Sequence, residues 1–188
     1  MKNILVSGGK LFIICAVAAV TLGGINAITE PAIKARKIQE LNQALKALTP
    51  DAETSATEAV PDNPAIKAFY SVLKGGKTAG YILQIMGNGY SGEMKILARY
   101  ERDGTIKSVK LMDNLETPGL GKKAEDPRYM EKFLRTGNSS RPVPVRKDML
   151  QSAEADAITG ATITFLGIAR ALAEGAQFVI EGEKKYAP

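Results

Sequence analysis

The chain has 188 residues, enough for one compact domain and an accessory segment, and its 45% hydrophobic and 24% charged content is that of a folded protein. A net charge of +5 is spread along the chain, with no Arg/Lys cluster interleaved with aromatics, so nucleic acid is not an expected partner. The absence of histidine and the single cysteine, Cys15, exclude the commonest general base, disulfides within the chain, cysteine-rich zinc sites and iron–sulfur clusters, so redox work by this chain requires an organic cofactor.

Residues 11–28 (LFIICAVAAVTLGGINAI) carry no charge and approach the roughly 20 apolar residues needed to cross a bilayer. Lys2 and Lys10 ahead of this run fit either a signal peptide or an anchor. Ile25-Asn26-Ala27 lacks small residues at both positions that a signal peptidase reads, so the expectation is a retained anchor. Cys15 has no small residues before it, which argues against a lipoprotein acylation site. The very short basic start before the span favours a cytoplasmic N-terminus, with the rest of the chain outside, although Lys34, Arg36 and Lys37 lie on the other flank. Thr29-Glu30-Pro31 reads as a cap followed by proline at a helix start. Ile38, Leu41, Leu45 and Leu48 then fall at helical spacing, an amphipathic connector ending near Pro50. Residues 51–64, rich in Ala, Thr, Glu, Asp and Pro, read as a linker or loop.

The domain proper is expected from Ala65. Residues 66–73 and 78–85 read as strands around a Gly75-Gly76 turn, followed by a glycine-rich loop over residues 86–92. That loop has the spacing of neither a dinucleotide fingerprint nor a P-loop. Residues 93–100 and 105–111 form a second expected hairpin, turning at Asp103-Gly104. Asp126-Pro127 starts a short helix through Leu134, with Gly137 beyond its end, and residues 141–146 read as another strand. After Thr162, the apolar positions Leu166, Ala169, Leu172 or Ala173, Ala176 and Val179 or Ile180 recur at helical spacing. The expected fold is α+β: an antiparallel sheet flanked by helices, behind one N-terminal transmembrane helix. The expected divisions are an anchor over residues 1–29, a connector and linker over 30–64, and the domain over 65–188.

One stretch carries chemistry. In Asp156-Ala-Ile-Thr-Gly-Ala-Thr162, the residues Thr159, Gly160 and Ala161 are small and let a bulky group approach the backbone. Thr162 sits about where a helix N-cap belongs. The unpaired N–H groups and positive dipole end of the helix favour an anion there, phosphate above all. On these residues alone three readings stay open: Thr162 caps the helix, binds a phosphate, or is esterified by one.

The stretch resembles the D-x-x-[ST]-G-A-T signature of FMN-binding domains that are substrates of a flavin transferase. Glu116-Thr-Pro-Gly-Leu-Gly121 is similar to that family's E-T-P-G-L-G loop, and Gly89-Tyr-Ser-Gly92 followed by Asp103-Gly104 fits in order and spacing. The resemblance implies FMN joined to Thr162 by a phosphodiester, made by a transferase that uses FAD and recognises Asp156. It implies that Thr159, Gly160, Ala161 and Ile163 surround the phosphate, while Glu116, Thr117, Pro118, Gly119 and Leu120 line the flavin. No catalytic acid or base and no metal is implied. Length and the single span make the chain similar to the G subunits of Rnf ion-translocating ferredoxin:NAD oxidoreductase complexes; the C subunits of sodium-pumping NADH:quinone reductases are an alternative. This implies an electron-transfer subunit of a translocase, partnered by iron–sulfur and flavin subunits and by lipid. It would sit in a bacterial or archaeal cell membrane as a single-pass protein, N-terminus cytoplasmic and FMN domain outside. Phe165 departs from the family, which often carries Ser there. A membrane-tethered binding or scaffold subunit without redox work is the reading from another class.

Overall fold

Alternating burial along four segments between Ile66 and Asp113 builds one antiparallel meander. The computed structural model describes residues 2–54 and 63–186, so residues 55–62 of the expected linker lie outside the described residues. Strands β1 (Glu53–Thr54), β2 (Ile66–Lys74), β3 (Lys77–Asn88), β4 (Glu93–Glu101) and β5 (Ile106–Asp113) pair in sequence order. The β2–β3 link closes at Lys74↔Lys77 around Gly75 and Gly76, whose φ values of +58° and +76° are those of a two-residue type I′ turn. The short β1, which the sequence did not signal, pairs with β2 at Glu53↔Leu73 and Thr54↔Val72.

Helix α4 (Thr162–Tyr186) provides the other layer of the main core. Its Phe165, Ile168, Ala169, Leu172, Ala176 and Val179 are buried with Leu83, Ile85, Met94, Ile96, Ala98 and Tyr100 of the sheet. Burying Phe165, Ile168, Leu172 and Val179 contributes on the order of 6–12 kcal/mol, as an upper bound, from apolar area alone. The helix crosses β3 closely: a Cβ on Gly167 would collide with the Asn88 carbonyl, so this crossing requires glycine. The Tyr100 hydroxyl donates to the Leu172 carbonyl at 3.0 Å, and burial pushes its pKa well above the ordinary value.

Between sheet and α4 the chain forms short pieces: a 3-10 turn at Gly121–Glu125, helix α2 (Pro127–Met130) with its 3-10 extension Glu131–Phe133, a 3-10 turn at Lys147–Met149, and helix α3 (Ser152–Ala157). Asp126 caps α2 by accepting from the Arg128 N–H at 2.9 Å. Phe165 stacks on Phe133, with centroids 5.5 Å apart and an interplanar angle of 15°. The departure from the family at this position is thus a core contact. Residues 141–146 form no strand; Pro142 and Pro144 lack the N–H that a ladder needs, and Val143 is buried as a loop residue instead.

The chain clusters into two compact units, Met1–Gln43 and Ala44–Pro188. The described residues of the first belong to helix α1 (Lys2–Leu48), where Leu11, Phe12, Ile13, Ile14, Val17, Val20, Leu22, Ile25 and Ile28 are exposed. This stretch is long and apolar enough to cross a membrane. Pro31 does not start a new helix but lies inside α1. Proline removes one i→i−4 bond there, and the Thr29 hydroxyl donates back to the Ile25 carbonyl at 2.8 Å. The second unit takes in the last turn of α1, where Ala44, Leu45 and Leu48 are buried.

Candidate functional site

Three loops meet where α4 begins. The first joins β3 to β4 and is closed by the Gly89 N–H donating to the Gly92 carbonyl at 2.8 Å. The second follows β5. In it, Pro118 and Gly119 occupy the middle of a turn closed by the Leu120 N–H on the Thr117 carbonyl, and Gly119 has the φ of +80° that a type II turn demands. The third is the turn between α3 and α4, closed by the Ala161 N–H on the Ile158 carbonyl, with Gly160 at φ +83°. Ile158 and Ala161 are buried, which leaves Thr159, Gly160, Thr162 and Ile163 facing outward.

Glu116 ties the three together. It is only 3% exposed; its Oε1 accepts from the Ser91 N–H of the first loop at 2.9 Å, and its Oε2 accepts from the Thr164 hydroxyl of α4. Its own N–H donates to Asn114 Oδ1 at 3.1 Å. A Cβ on Gly89 or on Gly121 would run into this carboxylate, so both glycines are needed for Glu116 to reach its partners. Two hydrogen bonds to a buried carboxylate, each of the stronger charge-assisted kind, join loop to helix.

Around this knot lies a cavity of about 370 Å³ lined by Tyr90, Glu116, Thr117, Leu120, Gly121, Gly160, Ala161, Thr162, Ile163 and Thr164. Of the expected site residues, Glu116, Thr117, Leu120, Gly160, Ala161, Thr162 and Ile163 are thereby brought to one place. Pro118 and Gly119, exposed in the turn between Thr117 and Leu120, lie outside the lining. Thr159 lies outside the lining, with its hydroxyl accepting from Lys147 Nζ at 3.3 Å. Asp156 is exposed on α3, away from the cavity wall. The sequence reading omitted Tyr90, Gly121 and Thr164 from the site. Two of them sat inside recognised motifs, Gly89–Gly92 and Glu116–Gly121, and the third is the next hydroxyl after Thr162.

Thr162 is one position further into the helix than an N-cap. The Phe165 N–H bonds the Ala161 carbonyl at 3.0 Å, so Ala161 occupies the cap and offers no side-chain acceptor. Among the described residues, the N–H groups of Thr162, Ile163 and Thr164 have no acceptor, and the Thr162 hydroxyl has no partner. Thr162 is exposed, whereas Thr164 is 1% exposed and bonded to Glu116. Of the two hydroxyls on this turn, only Thr162 can be reached by a reacting group.

An uncapped helix start and the Thr162 hydroxyl, both at the cavity, suit a phosphate. Tyr90, Leu120, Ile163 and the bare glycine backbone suit the face of a flat aromatic ring. These residues fit FMN without a metal, and among the described residues no cluster of three metal-ligating side chains exists.

The FMN-binding domain family matches residues 89–177, a range that contains all three loops. Over 170 residues the chain is 26% identical to the G subunit of the proton-translocating ferredoxin:NAD(+) oxidoreductase complex of Clostridium ljungdahlii, covering 90% of this chain and 88% of that protein. It is 30% identical over 168 residues to the G subunit of the Na(+)-translocating ferredoxin:NAD(+) oxidoreductase complex of Acetobacterium woodii, covering 82% and 81%. With the G subunit of the ion-translocating oxidoreductase complex of Cereibacter sphaeroides it shares 32% identity over 174 residues, covering 85% and 77%. Shewanella oneidensis NqrC, a solved structure, matches 69% of each chain at 22% identity and a TM-score of 0.46. With its FMN-binding domain and these relatives matched over most of their length, the chain belongs to the family of G subunits of ion-translocating oxidoreductase complexes.

Proposed function

We propose that this chain is the membrane-anchored flavoprotein subunit of an Rnf-type ferredoxin:NAD oxidoreductase complex, carrying FMN joined through its phosphate to Thr162. The observation that carries this reading is the exposed, unbonded Thr162 hydroxyl at an uncapped helix start that opens into a cavity suited to a ring and a phosphate. Bound FMN supplies one- and two-electron chemistry, which lets the subunit relay electrons between other redox centres. The protein's own part is to fix the flavin. Thr162 gives the oxygen of the ester, the free N–H groups at the start of α4 face the phosphate charge, and Glu116 holds the walls together.

Among the described residues nothing activates Thr162 as a nucleophile. There is no histidine, and no described base bonds its hydroxyl. Attachment therefore falls to a separate transferase, to which Asp156 is presented on the exposed face of α3. Helix α1 anchors the subunit in a bacterial or archaeal cell membrane, N-terminus in the cytoplasm and flavin outside, among iron–sulfur and flavin subunits. A covalent link is needed where no cytoplasmic FMN pool can refill the site.

Replacement of Thr162 tests this directly. When the chain is produced with the transferase, Thr162→Ala is expected to lose the flavin-fluorescent band on a denaturing gel and the FMN increment in intact mass. Thr162→Ser is expected to keep both. Flavin that survives Thr162→Ala under denaturing conditions would place the link elsewhere and end this reading.

A further inference from the structure

Around the cavity the chain leaves large apolar side chains in water: Tyr90 at 74%, Leu115 at 72%, Ile163 at 51% and Leu120 at 47% exposure. Scattered single cases of this kind are ordinary, but here Tyr90, Leu120 and Ile163 line one cavity from three separate segments. Tyr90 is the only aromatic residue among that lining. Its backbone is held on both sides. The Gly89 N–H bonds the Gly92 carbonyl at 2.8 Å, and the Ser91 N–H, one residue on, bonds Glu116 Oε1 at 2.9 Å. The loop is therefore fastened to the same carboxylate that fastens α4, and it holds Tyr90 at the cavity that Thr162 also lines. An aromatic ring held by a fixed backbone yet left mostly in water has its face free for a second flat ring, and stacking is the arrangement such a pair prefers.

Resting on the FMN reading above, we propose that Tyr90 is the residue that covers the flavin: its ring stacks on the isoalloxazine and shields it from water and from small solutes. Glu116 then acts through the Ser91 N–H as a positioning residue for Tyr90. The assignment explains why the loop is Gly-Tyr-Ser-Gly, with glycine at Gly89, where a Cβ would strike Glu116, and at Gly92, whose φ is +150°. Because Tyr90 is exposed, replacing it leaves the fold intact, and the variants report on the flavin alone.

The test uses the full flavinylated chain in detergent, with flavin content fixed by absorbance after denaturation. Emission per flavin and collisional quenching by iodide are then compared in the folded state. An electron-rich ring in contact quenches flavin emission, so Tyr90→Ala is expected to raise emission per flavin several-fold and to raise the iodide quenching constant. Tyr90→Phe is expected to keep the wild-type iodide constant, since the ring itself does the shielding. An iodide constant unchanged in Tyr90→Ala, or raised as much in Tyr90→Phe as in Tyr90→Ala, would overturn the assignment while leaving the Thr162 link standing. Wild-type chain without covalent flavin would bring down both.

Discussion

Glu116 and Thr164 share one hydrogen bond inside the site, and its loss bears unequally on the two sides. Thr164 sits in the first turn of α4, where a hydroxyl has the alternative of bonding back to the carbonyl three residues earlier, that of Ala161. Glu116 has no such alternative, being 3% exposed and enclosed by Gly89 and Gly121. Thr164→Val keeps shape and leaves the carboxylate with the Ser91 N–H alone. The expected cost is about 1–3 kcal/mol in urea unfolding, the usual penalty for an unsatisfied buried polar group. Flavin attachment, proposed at Thr162, is expected to be unchanged in this variant. A second residue-scale expectation concerns Lys132, whose Nζ lies 3.4 Å from the Tyr129 ring centroid and donates to the Tyr129 carbonyl. Burial lowers its pKa from 10.5 to about 8, against the opposing pull of Glu154 and Glu131. Between pH 8 and 10 the unfolded chain keeps this proton and the folded chain has lost it, so stability contributed here rises with pH in that window. Lys132→Met is expected to flatten the rise, as read from urea midpoints at pH 7.5 and 9.5. Equal slopes in both proteins would show that Lys132 titrates normally.

At the scale of elements, the far end of α4 is held by charge where its near end is held by Glu116. Tyr81 on β3 donates to Glu183 Oε1 at 2.5 Å, and Arg102 beyond β4 reaches Glu183 Oε2 at 2.8 Å through Nε and 2.6 Å through Nη2. The Arg102 hydrogen bond, aided by that of Tyr81, holds the Glu183 carboxyl below its ordinary 4.5. Its contribution is present above pH 4.5 and is lost as pH falls below that value. Glu183→Gln is expected to lower stability at pH 7 and to flatten the acid limb between pH 5 and 3, so that urea midpoints of the two proteins converge at low pH. The main elements were legible in the sequence because their periodicity was undivided. Ala169, Leu172, Ala176 and Val179 are buried as the spacing of α4 predicts, and the two hairpins turn at Gly75-Gly76 and Asp103-Gly104. Legibility failed where periodicity and local chemistry disagree. Arg141-Pro-Val-Pro-Val-Arg146 alternates like a strand yet lacks two donors, and Thr29-Glu30-Pro31 has the residues of a helix start within a helix that continues. Within the candidate site, residues of the recognised motifs meet at one cavity. Only side-chain geometry separates Thr162, exposed and unbonded, from Thr164, buried and engaged.

For the molecule as a whole, the open question is where the domain begins. A start at Ala65 follows from the composition of residues 51–64, yet the sheet buries a second face apart from the main core. Tyr70, Val72, Ile82 and Leu97 are buried there, outside the core that α4 closes. Arg99, two residues from Leu97 and paired with Ile82 across the sheet, points to the same face. Its Nη1 donates to the Leu48 carbonyl at 2.9 Å, which brings the end of α1 against it. Leu45 and Leu48, read from the sequence as the apolar stripe of a connector, thereby become core residues, and β1 covers the edge of β2. The last turn of α1, from Ala44 to Leu48, thus belongs to the fold that holds the cavity. A fragment beginning at Ala44 is expected to fold as a soluble domain that accepts flavin at Thr162. A fragment beginning at Ala65 loses two buried leucines, about 3–6 kcal/mol of apolar burial, and leaves Tyr70, Val72, Ile82 and Leu97 uncovered. It is expected to melt well below the longer fragment or to aggregate. Matching unfolding free energies for the two fragments would show that the end of α1 is a tether only, and that the domain is complete from Ala65.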